Sequence, residues 1–374
     1  MSLLVVIFAL VVLFTLNVYT LNVTHISMCP ALSPRPAPTS AHDLRPDDIK
    51  VIGALGDSIT AGFGIMGINL SQPPSLAAFN ALNEYRGLSY SIGGDEGALT
   101  VPNYVKHYQP NLKGYSIDSH IALYCSVHSC PGRYIPEKDR LNAALSGSLS
   151  INLQHQLDYL IPEMHNIAGI DFQNDWKMIN IQIGSNDMCS SCDSRYMNIT
   201  TPDQFASHMD AAIERIVTNV PRVLVNVIGA FNVSQLFPVT AGQAYCRPTH
   251  NDTSTIGNRR ECTCGSTPDG LKHMDYLAVE YNKRLFGIYQ KYQQNKNDSF
   301  AVVYQHSNLN MTSFPINFFS NIDCFHPGLV GHQWVSKIVW NELFQPQAKK
   351  ASVFNFNANQ TIYCPTDSDR IATN

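Results

Sequence analysis

Val51-Ile52-Gly53-Ala54-Leu55-Gly56-Asp57-Ser58-Ile59-Thr60-Ala61-Gly62-Phe63-Gly64 is an apolar run that breaks at Gly-Asp-Ser and continues as a glycine-spaced segment able to begin a helix. Five apolar residues without alternation read as a buried strand. A serine at the following strand-to-helix turn projects from the carboxyl edge of a sheet, where α/β proteins place their ligands. Amide dipoles at the start of a helix favour negative charge at that spot. Ser58 is therefore the candidate nucleophile. The common elbow G-x-S-x-G does not fit, because Thr60 occupies the place of its second glycine. The plainer reading is a strand-turn-helix with a capping serine.

Outward from this stretch the pattern repeats. Residues 88–92, 178–183, 222–228 and 300–304 give four more short apolar strands. Helical periodicity runs through 77–84, 149–161, 205–220, 271–292 and 331–344, with Thr201-Pro202-Asp203 as a start signal. Five strands separated by helices predict a five-stranded parallel sheet covered on both faces, in one domain over 49–365. Residues 22–48 read as an irregular lead-in and 366–374 as a tail. Residues 104–129 and 238–270 lack a clean period and carry cysteines, so loops held by disulfides are expected there.

Composition narrows the class. The 374 residues are 44% hydrophobic, with a formal charge of −4, which gives no electrostatic case for nucleic acid. The apolar run 3–16 reads as a secretory signal peptide within 1–21, although no Lys or Arg precedes it; an uncleaved N-terminal anchor is the alternative. Ten cysteines suit an oxidising compartment, as do eight N-x-S/T sequons at Asn22, Asn69, Asn198, Asn232, Asn251, Asn297, Asn310 and Asn359. A secreted or lumenal protein is expected. Disulfides rather than zinc are then the expected use of Cys189-x-x-Cys192 and Cys262-x-Cys264, and Cys125–Cys130 and Cys189–Cys192 are the expected local pairs. No H-E-x-x-H spacing occurs, so neither metal nor other cofactor is expected.

Three further polar groups fall at strand ends or near the last helix. Gly93-Gly94 follows the second strand, Gly184-Ser185-Asn186-Asp187 the third, and Asp323-Cys324-Phe325-His326 precedes the closing helix. Asp323 and His326, three apart, can pair so that the carboxylate holds one ring nitrogen and the other faces a neighbour. Ser58 needs such a base, and attack on an ester leaves an oxyanion. The donors assigned to it are the Ser58 N–H, the Gly94 N–H (with Gly93 the alternative) and the Asn186 amide. Asp57 and Asp187 are expected to brace loops.

These four blocks, in this order, resemble those of the GDSL or SGNH hydrolases. The resemblance implies a three-layer, flavodoxin-like α/β/α fold, a Ser58–His326–Asp323 triad and an oxyanion hole from Ser58, Gly94 and Asn186. Thr100-Val101-Pro102-Asn103, Asn186 to Cys192, Val220-Pro221-Arg222 and Gly331-His332 extend it towards the phospholipase B branch. Membrane-bound members carry repeated units and an anchoring tail; one unit and no apolar tail are read here, which puts membrane attachment in doubt. The expectation is a secreted serine esterase acting on phospholipid or lysophospholipid acyl esters, in transient contact with lipid surfaces or micelles and with no protein partner. Phe63, Ile65, Met66, Ile68 and Leu70, with Phe314, Phe318, Phe319 and Phe325, are the candidate acyl groove. The alternatives are an esterase for acetylated carbohydrate and a catalytically inactive lipid-binding protein.

Overall fold

Strands β1 (Ile49–Gly56), β2 (Trp176–Gln182), β3 (Val223–Ile228) and β4 (Phe300–Gln305) form one parallel sheet in the order β1-β2-β3-β4 in the computed structural model, which describes residues 21–127, 129–246 and 261–374. The expected signal peptide lies outside the described residues except for its last position, and Asn251 lies outside them too. Every residue of β2 and β3 is buried, which explains strands that are mainly apolar on both faces, with Lys177, Asn180, Gln182 and Asn226 as buried exceptions. Three of the polar side chains inside the sheet form one hydrogen-bonded row. Gln305 donates to Asn226, Asn226 to Asn180, and Asn180 to the Ser91 carbonyl, at 2.8, 2.8 and 2.6 Å.

Eight helices matter for the site: α1 (Ser58–Ala61), α2 (Pro74–Ala81), α3 (Val101–Tyr108), α4 (Leu153–Asn166), α5 (Ser185–Ser190), α6 (Pro202–Asn219), α7 (Pro268–Gln294) and α8 (Leu329–Glu342). Helices α4, α6 and α7 pack side by side against the sheet, and α3 and α8 pack together on its other face. Thr201 caps α6 through Gln204 N–H, as its start signal predicts.

The sheet has four strands, not five. Residues 88–92, expected as a strand, turn out of a short 3₁₀ helix at Arg86–Leu88. Their backbone bonds go elsewhere: the Tyr90 N–H donates to His332 Nδ1 at 3.1 Å, and the Ile92 carbonyl accepts from Ser116. The free edge of β1 is occupied instead by two irregular segments. Lys113 bonds to Lys50 and Ile52, while Leu141 and Ala143 bond to Ala54. Periodicity cannot register such a split strand, because each piece is too short to show a period.

Five disulfides join Cys29–Cys364, Cys125–Cys130, Cys189–Cys262, Cys192–Cys264 and Cys246–Cys324. The expected Cys125–Cys130 bridge is present. Cys189–Cys192 is corrected: Cys189 is on the buried face of α5 and Cys192 lies beyond its end on the surface, so each pairs with a different cysteine of the segment running alongside. The lead-in and the end of the chain are also held. Leu21–Val23 pairs antiparallel with Ile362–Cys364, and the Ile371 N–H donates to the Leu44 carbonyl. Among the described residues no helix is long and apolar enough to cross a membrane.

Candidate active site

The β1–α1 turn aims Ser58 by close packing. A Cβ at Gly56 would meet Thr60 Oγ1 at 2.4 Å and the Gln182 carbonyl at 2.5 Å, so only glycine lets the turn fold onto β2. Asp57 caps α1, its Oδ1 accepting the Ile59 N–H at 3.0 Å. Gly62, at φ 86°, ends the helix after one turn. Asp57 is fully buried and desolvation pushes its carboxyl up to about 7; its Oδ2 meets no partner among the described residues. It braces the turn, as expected of it.

Asp323 and His326 sit in a turn whose next residue, Cys324, takes a left-handed φ of 51°, held by its bridge to Cys246. That conformation lets Asp323 Oδ1 accept the Phe325 and His326 N–H groups at 2.8 and 3.0 Å. Its Oδ2 accepts His326 Nδ1–H at 2.6 Å, and Ser58 Oγ donates to His326 Nε2 at 2.7 Å. Burial works against a charged imidazole. The Asp323 charge and hydrogen bond, with Glu261 and Asp57 adding, outweigh it and lift His326 to about 9.

Glu261, which sequence reasoning missed, stands with Oε2 at 3.8 Å from His326 Nδ1. Its side chain is 41% exposed, but the carboxylate turns into the cleft, where desolvation and then the Asp323 charge push it up to about 7. The residue is positioned by the adjacent Cys262–Cys189 bridge. No motif marks it.

Asn186 lies on α5, after Gly184 at φ 125°, and its amide donates to the Ser148 carbonyl at 2.9 Å. Asp187 beneath it accepts the Ser150 N–H and hydroxyl, a bracing role. Ser58, Asn186, Asp323 and His326 are thus brought together, and Gly94 is not. The Gly94 N–H donates to the Ser116 carbonyl at 2.8 Å, and a Cβ there would meet the Tyr115 ring at 2.0 Å. Gly93 is tied likewise, to the Ser89 carbonyl. The residue in the place expected of Gly94 is Gly147, which lines the cleft beside Ser58, Asn186 and His326. Its φ is 80°, and neither its N–H nor that of Ser58 has a hydrogen-bond partner among the described residues. The missed signal is Leu145-Ser146-Gly147, on the irregular segment that completes the β1 edge; with no regular strand before it, nothing marks Gly147 as a strand-end glycine.

The cleft holds about 470 Å³ including its open mouth, and Phe63, Tyr124, Ser146 and Phe325 complete its walls. The Phe63 ring meets the His326 ring edge-on at 4.9 Å. The candidate groove is corrected in part. Phe314 and Phe318 pack with Trp334 and Phe356 in an aromatic core, and Phe319 packs on Phe318, because that segment must cover α8. Phe318 and Phe319 also line, with Ile59, Phe231, Met311 and Phe325, a narrow apolar pocket beside the neighbours of Ser58 and His326, so only Phe314 lies wholly in that core. A separate depression lined by Phe286, Tyr289, His306 and Asn374 contains no nucleophile paired with a base.

Residues 52–339 match the model of the GDSL-like lipase/acylhydrolase family. The chain is 31% identical over 350 residues to rat phospholipase B1, membrane-associated, covering 90% of this chain and 22% of that protein. The human protein of the same name is 29% identical over 345 residues, covering 89% and 22%. The chain therefore spans about a fifth of the length of these relatives. Among solved structures, an acetyl xylan esterase from Geobacillus stearothermophilus is 13% identical with a TM-score of 0.39, covering 78% of this chain and 93% of that one. At that TM-score the likeness bears on neither chemistry nor substrate.

Proposed function

The chain belongs to the GDSL-like lipase/acylhydrolase family and is a carboxylic ester hydrolase, and we propose that it cleaves lipid acyl esters, phospholipid or lysophospholipid, through a Ser58–His326–Asp323 triad. The observation that carries the triad is the unbroken chain from Ser58 Oγ through the imidazole to Asp323. In the reaction, His326 Nε2 takes the Ser58 proton as Oγ attacks the ester carbonyl, and Asp323 holds the imidazolium. The oxyanion receives the Ser58 and Gly147 N–H groups and the second hydrogen of the Asn186 amide, whose first is anchored on Ser148. His326 then protonates the leaving alcohol. Water, activated by the same base, releases the acid from the acyl-enzyme.

Two observations support a lipid acyl group. The similarity to phospholipase B1 covers nine-tenths of the chain, and the cleft at the nucleophile and base has apolar walls in Phe63, Tyr124 and Phe325. Each methylene buried there contributes about 0.8 kcal/mol. Five disulfides suit an oxidising compartment, and secretion through a cleaved leader is the reading that fits them. The test is an acyl-length series on p-nitrophenyl esters, then fatty-acid release from phosphatidylcholine micelles. kcat/KM should climb from acetyl to medium chains, and fatty acid should appear. A maximum at acetyl with no fatty acid from any lipid would replace this substrate with an acetylated carbohydrate.

A further inference from the structure

Between Asp57 and Glu84 the sequence contains no Asp, Glu, Lys, Arg or His. So long an uncharged stretch would ordinarily be buried, and from Met66 to Leu82 this one is largely at the surface. Of the fourteen large apolar side chains exposed among the described residues, five lie in it: Met66, Leu70, Leu76, Phe79 and Leu82. Two more, Ile121 and Tyr124, lie on the segment beside it. Leu70 is 64% exposed and Phe79 52%, whereas a monomer normally scatters such residues singly.

The patch is continuous with the catalytic cleft. Phe63, a cleft wall, bridges to Glu84, and the Gly64 N–H donates to the Asn83 carbonyl at 3.1 Å. Asn83 pairs with Ile121, the Ala122 N–H donates to the Leu82 carbonyl, and Tyr124 lines the cleft itself. Glu84 and Arg86, where charge resumes, are fully buried and paired with each other, so they present no charge at this rim. An ester leaving a lipid aggregate for Ser58 would cross this face.

We propose that the exposed apolar face of α2 and the loop before it is a docking surface for a zwitterionic phospholipid interface, seating the Ser58 cleft on the aggregate. The inference rests on the lipid-ester reading above. Between Asp57 and Glu84 this face is uncharged, which fits an uncharged apolar partner, and it carries no basic residue to select anionic lipid. Adsorption to phosphatidylcholine is accordingly insensitive to salt.

The experiment is flotation of the full chain, with Asn69 intact and in parallel with Asn69→Gln, on phosphatidylcholine vesicles at low and high salt; flotation confined to Asn69→Gln overturns the proposal. Ser58→Ala is added to prevent hydrolysis during binding. The comparison is the same chain with Leu76→Gln and Phe79→Gln, both outside the catalytic machinery. Partitioning should fall roughly tenfold or more, as expected for two half-exposed side chains that bury on adsorption. In parallel, chains retaining Ser58 should hydrolyse soluble p-nitrophenyl butyrate equally with and without the two substitutions, which reports an intact fold. Equal flotation of both chains overturns the proposal, as does binding only to anionic vesicles. A concentration-dependent dimer lost in the variant, with no vesicle binding, overturns it in favour of a second copy. Absence of butyrate hydrolysis in the unsubstituted chain would instead strike the esterase reading, and flotation would still decide the docking surface.

Discussion

Gly147 and Gly94 separate two accounts of the oxyanion hole at the scale of single residues. Gly147→Ala should fold and lose kcat, because a Cβ would meet the Cys125 carbonyl at 2.6 Å and shift the free N–H. Gly94→Ala should lower stability, through the Tyr115 ring, while the folded fraction keeps its kcat. Asn186→Ala should lower kcat by about 10²–10³ with little change in KM. Steady-state kinetics with a melting curve for each variant checks all three; a kcat loss confined to Gly94→Ala would restore the donor first read from the sequence. Glu261 makes a prediction in pH. His326 must be neutral to act as base, so activity rises with pH through its pKa. The groups facing the imidazole are Asp323, Glu261 and Asp57, with His332, which burial pushes down to about 3, remaining neutral. Glu261→Gln removes one anion that stabilises the imidazolium, so the acid limb of kcat/KM should move to lower pH. An unmoved limb would show that Glu261 does not act on His326.

Among elements, the paired bridges Cys189–Cys262 and Cys192–Cys264 fasten α5, which carries Asn186, to the segment carrying Glu261. Both close nearly the same loop, with separations of 73 and 72 residues. Loss of either alone should therefore cost little, because the other still restrains the unfolded chain. Loss of both should cost about 4 kcal/mol, the loop-closure value for that length. Calorimetry of the two double-serine variants and the quadruple variant checks this, and additive losses would contradict it. The same elements show what could be read without a structure. The mainly apolar runs 51–55, 178–183, 222–228 and 300–304 each became a sheet strand, since a strand buried on both faces draws mainly apolar residues. Residues 88–92 alternate, Leu88-Ser89-Tyr90-Ser91-Ile92, which also reads as a strand, yet their backbone is satisfied by His332 and Ser116 rather than by a ladder, and no local pattern reports a distant partner.

Over the whole molecule, the Ser58 turn and the Asp323–His326 turn, 268 positions apart from Ser58 to His326, meet because the segment between β4 and α8 runs from the far edge of the sheet back to the carboxyl end of β1. Residue identity and order made this meeting legible, since a serine, an amide and an Asp-x-x-His pair are each chemically distinctive. Gly147 and Glu261 were not legible, because the role proposed for one rests on its backbone N–H and that for the other on position alone. The disulfide pattern was hidden for a related reason: spacing says nothing about which face a cysteine takes. The most direct measurement of the central claim is labelling with a fluorophosphonate, with intact mass and peptide mapping, alongside turnover of p-nitrophenyl butyrate. One phosphonyl group on Ser58, absent in a folded Ser58→Ala chain that also loses nearly all turnover, is the predicted result. A folded Ser58→Ala chain with unchanged turnover would contradict it.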